Sequence, residues 1–334
     1  METIGFWPAL LFVMLCALLL GYSLLDGFDL GLSMLLPLIP KADDRRVLLA
    51  AMAPFWDGNE VWLIIAGGVL FAAFPAAYAT ILSGFYLPVM FVLFALILRA
   101  VAFEFWPASQ KGGNFWQWVL SAASLLVTGL FGLLLGNLLR GIPLDAEFTL
   151  AGGELGLFRP LPVAVGATAV AVFVFQGLAF AVGKTAGELQ QTLLKTARRA
   201  WWICSGVILV LWAALAASLP AVWQRPLLWL GILITAGALA GARLALIRRG
   251  GKGLLAFSSA ALAGLWLSLA GIQFPLLVRS IPPARSMTIA AAATAGPTLR
   301  LIAAFTFFGM LLVAAYSWFV YRVFRGRARA EESY

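Results

Sequence analysis

Long apolar runs separated by short polar breaks dominate this chain. A membrane-crossing helix needs roughly 20 consecutive apolar residues. Nine runs qualify, at about 7–37, 50–74, 79–105, 116–139, 160–183, 200–219, 226–247, 255–277 and 298–322. The pattern predicts an all-α integral membrane fold of nine transmembrane helices in helical bundles, forming one polytopic domain over 1–334. The first run is longer than a straight crossing needs, which allows tilt or an extension beyond the bilayer. It also outruns the apolar core of a signal peptide and has no basic segment before it, so cleavage is not expected.

The charges orient these spans. Lys41, Arg45 and Arg46 follow span one, Lys111 follows span three, and Lys184, Lys195, Arg198 and Arg199 follow span five. Arg243, Arg248, Arg249 and Lys252 follow span seven, and Arg322, Arg325, Arg327 and Arg329 lie in the tail. These are sixteen of the 23 basic residues, all on one side. Basic loops stay in the cytoplasm, so the N-terminus is expected in the periplasm and the C-terminus in the cytoplasm.

Composition excludes several classes of function. The chain is 63% hydrophobic and 11% charged, with a mean hydropathy of +0.99. A soluble domain has about 45–50% apolar and about 25% charged residues. The net charge of +9 lies in loops between spans, a topological signal and not a nucleic-acid-binding stripe. There is no histidine, so His-ligated haem cannot sit on this chain alone. Cys16 and Cys204 lie within apolar runs and read as small packing residues. No P-loop, dinucleotide fingerprint, catalytic triad or metal-ligand spacing is present.

Against this background two acid pairs stand out. Gly21-Tyr22-Ser23-Leu24-Leu25-Asp26-Gly27-Phe28-Asp29-Leu30-Gly31 carries one, and Pro54-Phe55-Trp56-Asp57-Gly58-Asn59-Glu60-Val61-Trp62 the other. Each places two carboxylates three residues apart, on one side of a helix. An ionisable group in hydrocarbon is costly and marks a functional site by default. The orientation puts Asp26, Asp29, Asp57 and Glu60 in the cytoplasmic half. Arg99 and Glu104 of span three fall at similar depth, with their partners expected on other helices. The plainer reading is interior pairing, with Gly21, Gly27 and Gly31 letting a neighbouring helix approach. The functional reading is a proton conduit tuned by Arg99, which stays charged.

Other features carry less. Gln176 and Gln273 read as interhelical hydrogen bonds, and Lys184 to Glu188 as the end of a span. Residues 140–160 form a solvated connector, 279–297 an interfacial loop, and the basic tail a disordered anchor on anionic lipid. The 13 tryptophans fit interfacial belts.

The same residues carry a family resemblance. The Asp26-Gly27-Phe28-Asp29-Leu30-Gly31 core resembles the first-helix signature of subunit II of cytochrome bd-type quinol oxidases. Pro54 to Trp62, followed by Ala66-Gly67-Gly68 and Leu70 to Pro75, resembles the second helix. Ser83-Gly84-Phe85-Tyr86, Arg99, Gly136-Asn137-Leu138-Leu139, Gly141-Ile142-Pro143, Gln176-Gly177, Thr185 to Leu189 and Gly271 to Pro275 continue the match in order. The compact loops resemble the cyanide-insensitive branch.

This resemblance implies a non-haem subunit of a bacterial inner-membrane complex that oxidises quinol and reduces dioxygen to water. Haems b and d would belong to subunit I, the principal partner. It also raises a structural quinone and a small single-span accessory subunit. Membrane lipid and quinone are expected contacts; nucleic acid is not. Carried over by position, Asp57, Arg99 and Glu104 resemble part of the family's proton route, and Asp29 the acid near a second cytoplasmic mouth. Asp26 and Glu60 resemble supporting positions; some relatives have glutamine at position 60, and some aspartate at position 104. No residue of this chain is expected to be catalytic or to bind a metal. On the residues alone, the competing reading is a proton-coupled secondary transporter.

Overall fold

The computed structural model describes residues 4–109, 113–145, 154–248 and 251–328. Lys111, Glu147, Arg249, Arg329, Glu331 and Glu332 lie outside them. The long helices are α1 (Phe6–Leu35), α3 (Trp56–Ala73), α5 (Tyr86–Ala108), α6 (Gly113–Arg140), α7 (Pro160–Lys184), α8 (Gly187–Ser218), α9 (Pro226–Arg248), α10 (Leu254–Gln273) and α12 (Gly296–Val323). Shorter helices are α2 (Ala42–Met52), α4 (Pro75–Gly84) and α11 (Ile289–Ala292). Among the described residues eight helices are long and apolar enough to span a bilayer, or nine when α3 and α4 are taken as one bent span.

Several boundaries differ from those the hydropathy predicts. The run 50–74 is not one helix, because Pro54 lacks the N–H that would carry α2 into α3. Before Pro75, Phe74 is pushed out of the helical region, to φ −133° and ψ 59°. Here α3 and α4 meet at 117°. The third span therefore begins at Tyr86, and residues 79–84 belong to α4, which is too short to cross. Helix α8 begins thirteen residues before position 200, because Lys195, Arg198 and Arg199 mark the contact with water and not the end of the helix. Helix α10 stops at Gln273 rather than 277, before Pro275. Strand β1 (Leu276–Val278) then pairs antiparallel with β2 (Met287–Thr288). Residues 279–297 are thus partly ordered, and Thr294 donates its N–H to the Ala73 carbonyl at the end of α3 (3.0 Å).

The basic loops gather at one end of the bundle. Lys41 pairs with Glu188 at 2.8 Å, and the Ala328 N–H donates to the Lys184 carbonyl at 3.0 Å. The described part of the tail is therefore docked on the end of α7.

Helices α1 and α7 form the centre, packed on α3, α6, α8, α10 and α12. Their closest approach is backbone to backbone. A Cβ on Gly31 would overlap the Phe173 carbonyl, and one on Gly177 would overlap the Leu32 amide nitrogen. Gly21 and Gly27 instead receive the rings of Trp62 and Phe173. Small residues at helix contacts let dispersion act at short range, which drives association where lipid offers no hydrophobic gain.

Candidate functional site

The two acid pairs converge on α1, α3 and α5, but each pair divides. Asp26 and Arg99 are both fully buried and form a bidentate pair. The Arg99 Nη2 bond to Asp26 Oδ1 is very short, and Nη1 donates to Asp26 Oδ2 at 3.2 Å. Arg99 Nη1 also donates to Glu60 Oε1 at 2.5 Å. The result is a carboxylate–guanidinium–carboxylate triad from three helices. The planar fork of arginine suits such a geometry; a lysine would lose it. The Arg99 guanidinium also lies 5.6 Å from the Phe103 ring, which stacks on Trp56 with centroids 4.9 Å apart.

Asp29 takes a different partner. It is fully buried, and Asn59 donates to its Oδ2 at 2.7 Å. Tyr321, from the far end of α12, donates its hydroxyl to Asn59 Oδ1 at 3.4 Å. The Tyr321 ring packs on Phe55 at 4.4 Å and meets Phe28 edge-on at 6.3 Å. Asp29 Oδ1 is buried with no partner among the described residues. The sequence shows Asn59 as a polar group at this depth, but gives no sign that Tyr321 joins it.

Depth follows from helix geometry. Asp26 and Arg99 each lie nine residues before the end of their helix toward the basic loops. At 1.5 Å per residue this is about 14 Å along each helix, so the two groups stand at the same level, well inside the helix ends. Phe55 meets Phe28 at 6.4 Å, so α3 starts well inside the end of α1.

Asp57 and Glu104 are not part of the buried cluster. Both are exposed on the surface of this chain, Asp57 in the first turn of α3 and Glu104 near the end of α5. Glu60, one turn beyond Asp57, has 22% of its side chain exposed and bridges the surface to the triad. The six predicted positions thus divide into a buried set, a half-buried Glu60 and two exposed acids.

Gln176 bonds between helices as expected, whereas Gln273, the last residue of α10, bonds locally to β1 because the helix ends there. Gln176 donates to the Leu24 carbonyl (3.2 Å) and to Ser259 Oγ (2.9 Å), and Gln273 to the Leu277 carbonyl (3.0 Å). Both cysteines are free, Cys204 fully buried and Cys16 half-buried. No group of acids and cysteines among the described residues is arranged to hold a metal. An apolar cavity of about 540 Å³ opens between α1, α3 and α12, lined by Trp7, Met14, Trp62 and Phe307 with Arg300 at its edge.

Fold and cluster together define a multi-pass helical membrane protein built around buried ion pairs. Comparison with known proteins gives the family. The profile of cytochrome bd terminal oxidase subunit II matches residues 7–324, and the chain belongs to that family. It is 30% identical over 356 residues to the probable cytochrome oxidase subunit 2 of Haemophilus influenzae, covering 95% of this chain and 94% of that protein. It is 37% identical over 209 residues to the cytochrome bd ubiquinol oxidase subunit 2 of Bacillus subtilis, 62% of this chain and 61% of that one. For the cytochrome bd-I ubiquinol oxidase subunit 2 of Escherichia coli K12 the match is 36% over 188 residues, 54% and 50% respectively. In structure, a chain of the bd oxidase from Geobacillus thermodenitrificans superposes with a TM-score of 0.82 at 16% identity, covering 96% of this chain and 99% of that one. That likeness supports the fold. The chain is therefore a subunit of a terminal oxidase of the bacterial inner membrane, an oxidoreductase complex, and the family match sets the transporter reading aside.

Proposed function

We propose that this chain is the non-haem subunit of a quinol oxidase that reduces dioxygen to water. It supports assembly of the haem-bearing subunit I and passes protons to it from the cytoplasm. The basic end of the bundle then faces the cytoplasm. The single observation that carries the proton role is the graded placement of acids. Asp57 is exposed, Glu60 is half-buried beside it, and the Arg99–Asp26 pair lies behind them.

Charge supports the same reading. Two carboxyls contact the one guanidinium and a third, Asp29, is buried beside them on a neutral amide, so full ionisation would leave two negative charges without compensation. Burying unpaired charge costs several kcal/mol per ion. Protons drawn from the aqueous side relieve that cost and are available for transfer. Exposed acids at membrane depth likewise disfavour a lipid-facing surface. The α3 and α5 face that carries Asp57 and Glu104 is therefore the seam with subunit I, where Glu104 and Asp57 deliver protons across. Asp29, held by Asn59, serves the second route. Haems b and d reside on subunit I, consistent with the absence of histidine here. A structural quinone has the apolar cavity beside Trp62 and Arg300 to occupy, whose walls suit an isoprenoid chain.

Purifying the tagged chain and recording a reduced-minus-oxidised spectrum tests the assembly; absence of haem would overturn it. Within a haem-replete complex, Asp57→Asn is expected to slow oxygen consumption roughly tenfold or more, because an amide offers no exchangeable acid proton. Unchanged turnover with intact haem would remove Asp57 from the route.

A further inference from the structure

The second half of the chain has no acidic residue between Glu188 and Glu331, although it is rich in arginine and lysine. At the basic end of α8 and α9 the one acid on either helix, Glu188 in the first turn of α8, is taken by Lys41, which leaves the other cations there without a counter-charge on these two helices. Arg243 is the best placed of them. Its guanidinium lies 5.2 Å from the ring of Trp201 and 5.2 Å from that of Trp202, and these two rings meet edge-on at 4.7 Å. Trp201 is itself fixed, donating its indole N–H to the Leu239 carbonyl at 2.9 Å. Arg198, on the same side of α8, ties the two helices by donating to the Leu246 carbonyl at 3.1 Å. Arg243 makes no ion pair or hydrogen bond among the described residues.

Depth and surroundings narrow the ligand. Arg243 lies five residues before the end of α9, about 8 Å inside the helix terminus. That is the level of the interfacial aromatic belt. The apolar surface running from it along α8, away from the basic end, is open. Trp202 is 62% exposed, Ile203 62% and Leu209, two turns deeper on the Trp202 face, 68%.

We propose that α8 and α9 form a binding site for one anionic phospholipid. Its phosphate takes the Arg243 fork, with Arg198 and Arg199 beside it, and an acyl chain lies along Trp202, Ile203 and Leu209. The two rings hold the guanidinium by cation–π attraction and fix it in place, so little side-chain freedom is lost when phosphate binds. The planar fork matches two phosphate oxygens, and net negative charge on the headgroup answers the surrounding cations.

Native mass spectrometry of the detergent-purified complex, exchanged into micelles containing phosphatidylglycerol, tests this site. The wild type is expected to retain phosphatidylglycerol over phosphatidylcholine. Arg243→Gln should weaken retention about fivefold, the effect of one cation near a lipid surface. Trp202→Leu keeps every charge and should weaken it in the same direction, which carries the test if the arginine variant does not assemble. Arg159→Gln, at the other end of the bundle, should leave retention unchanged. Equal retention by wild type, Arg243→Gln and Trp202→Leu would overturn the site. Release of the lipid by inorganic phosphate would show a free-phosphate site instead. Loss of a co-purifying protein in Arg243→Gln, with lipid unchanged, would show that an acidic protein surface covers this face. None of these readouts depends on turnover, so they stand or fall apart from the proton-delivery reading.

Discussion

Arg99→Met is expected to prevent accumulation of the chain in the membrane. Arg99 is fully buried and serves both Asp26 and Glu60. Methionine fills much of its volume but leaves two carboxylates facing each other with no cation. Breaking a buried pair by removing one partner costs about 3–5 kcal/mol, against a total stability of about 5–15 kcal/mol for a typical domain. Here two acids lose their partner at once. Immunoblotting of washed membranes, with the haem spectrum of the purified complex, reads the effect. Rescue separates charge from shape. Adding Asp26→Asn and Glu60→Gln to Arg99→Met removes the stranded charges and should restore much of the lost protein. Normal accumulation of the single variant would mean that the triad does not hold α1, α3 and α5 together. Failure of the rescue would assign the defect to packing against Phe103, which the guanidinium covers.

Gly177→Val is the second large effect. A Cβ at position 177 meets the backbone of Leu32 and Gly31, and no side-chain rotation relieves a clash with backbone. Overpacking a core costs about 1–3 kcal/mol when neighbours can shift, and more when they cannot. The site joins the two central helices, so the cost reaches the whole bundle. The expected result is a large fall in the thermal midpoint of the purified complex, or its loss from the membrane. Gly183→Val on the same helix, where an added Cβ meets nothing within 4 Å, is the matched control and should change little. If both variants behave alike, the close approach of α1 and α7 does not limit stability.

Much of the membrane fold is legible in the sequence because the bilayer imposes one strong rule. Backbone polar groups in hydrocarbon must be satisfied within the helix, so length and hydropathy together mark the spans. The runs at 116–139, 160–183, 226–247 and 298–322 agree with α6, α7, α9 and α12 to within a few residues. Three of the misplaced boundaries share a cause. At Pro54, Pro75 and Pro275 an apolar run continues while the helix cannot, since proline removes a donor and restricts its neighbour. At α8 the opposite holds, and the helix continues where hydropathy ends.

The candidate site was legible in composition but not in pairing. Acids three apart on a helix differ by about 60° in direction, enough to meet different neighbours. Asp26 turns to Arg99 and Asp29 to Asn59. Asp57 faces outward while Glu60 reaches inward. Tyr321 joins from 262 residues away, a distance no local pattern bridges.

By itself, then, the sequence determined that this is a nine-run helical membrane protein, that its buried acids require an explanation, and which family carries its motifs. Those follow from the cost of charge in hydrocarbon and from local order along the chain. Only the tertiary structure decided that Arg99 joins Asp26 with Glu60, that Asn59 and Tyr321 hold Asp29, and that Asp57 and Glu104 stand on the surface. Such choices depend on how helices distant in sequence rotate and approach. That is set by the glycine contacts between α1 and α7 and by the packing of α3, α5 and α12 around them.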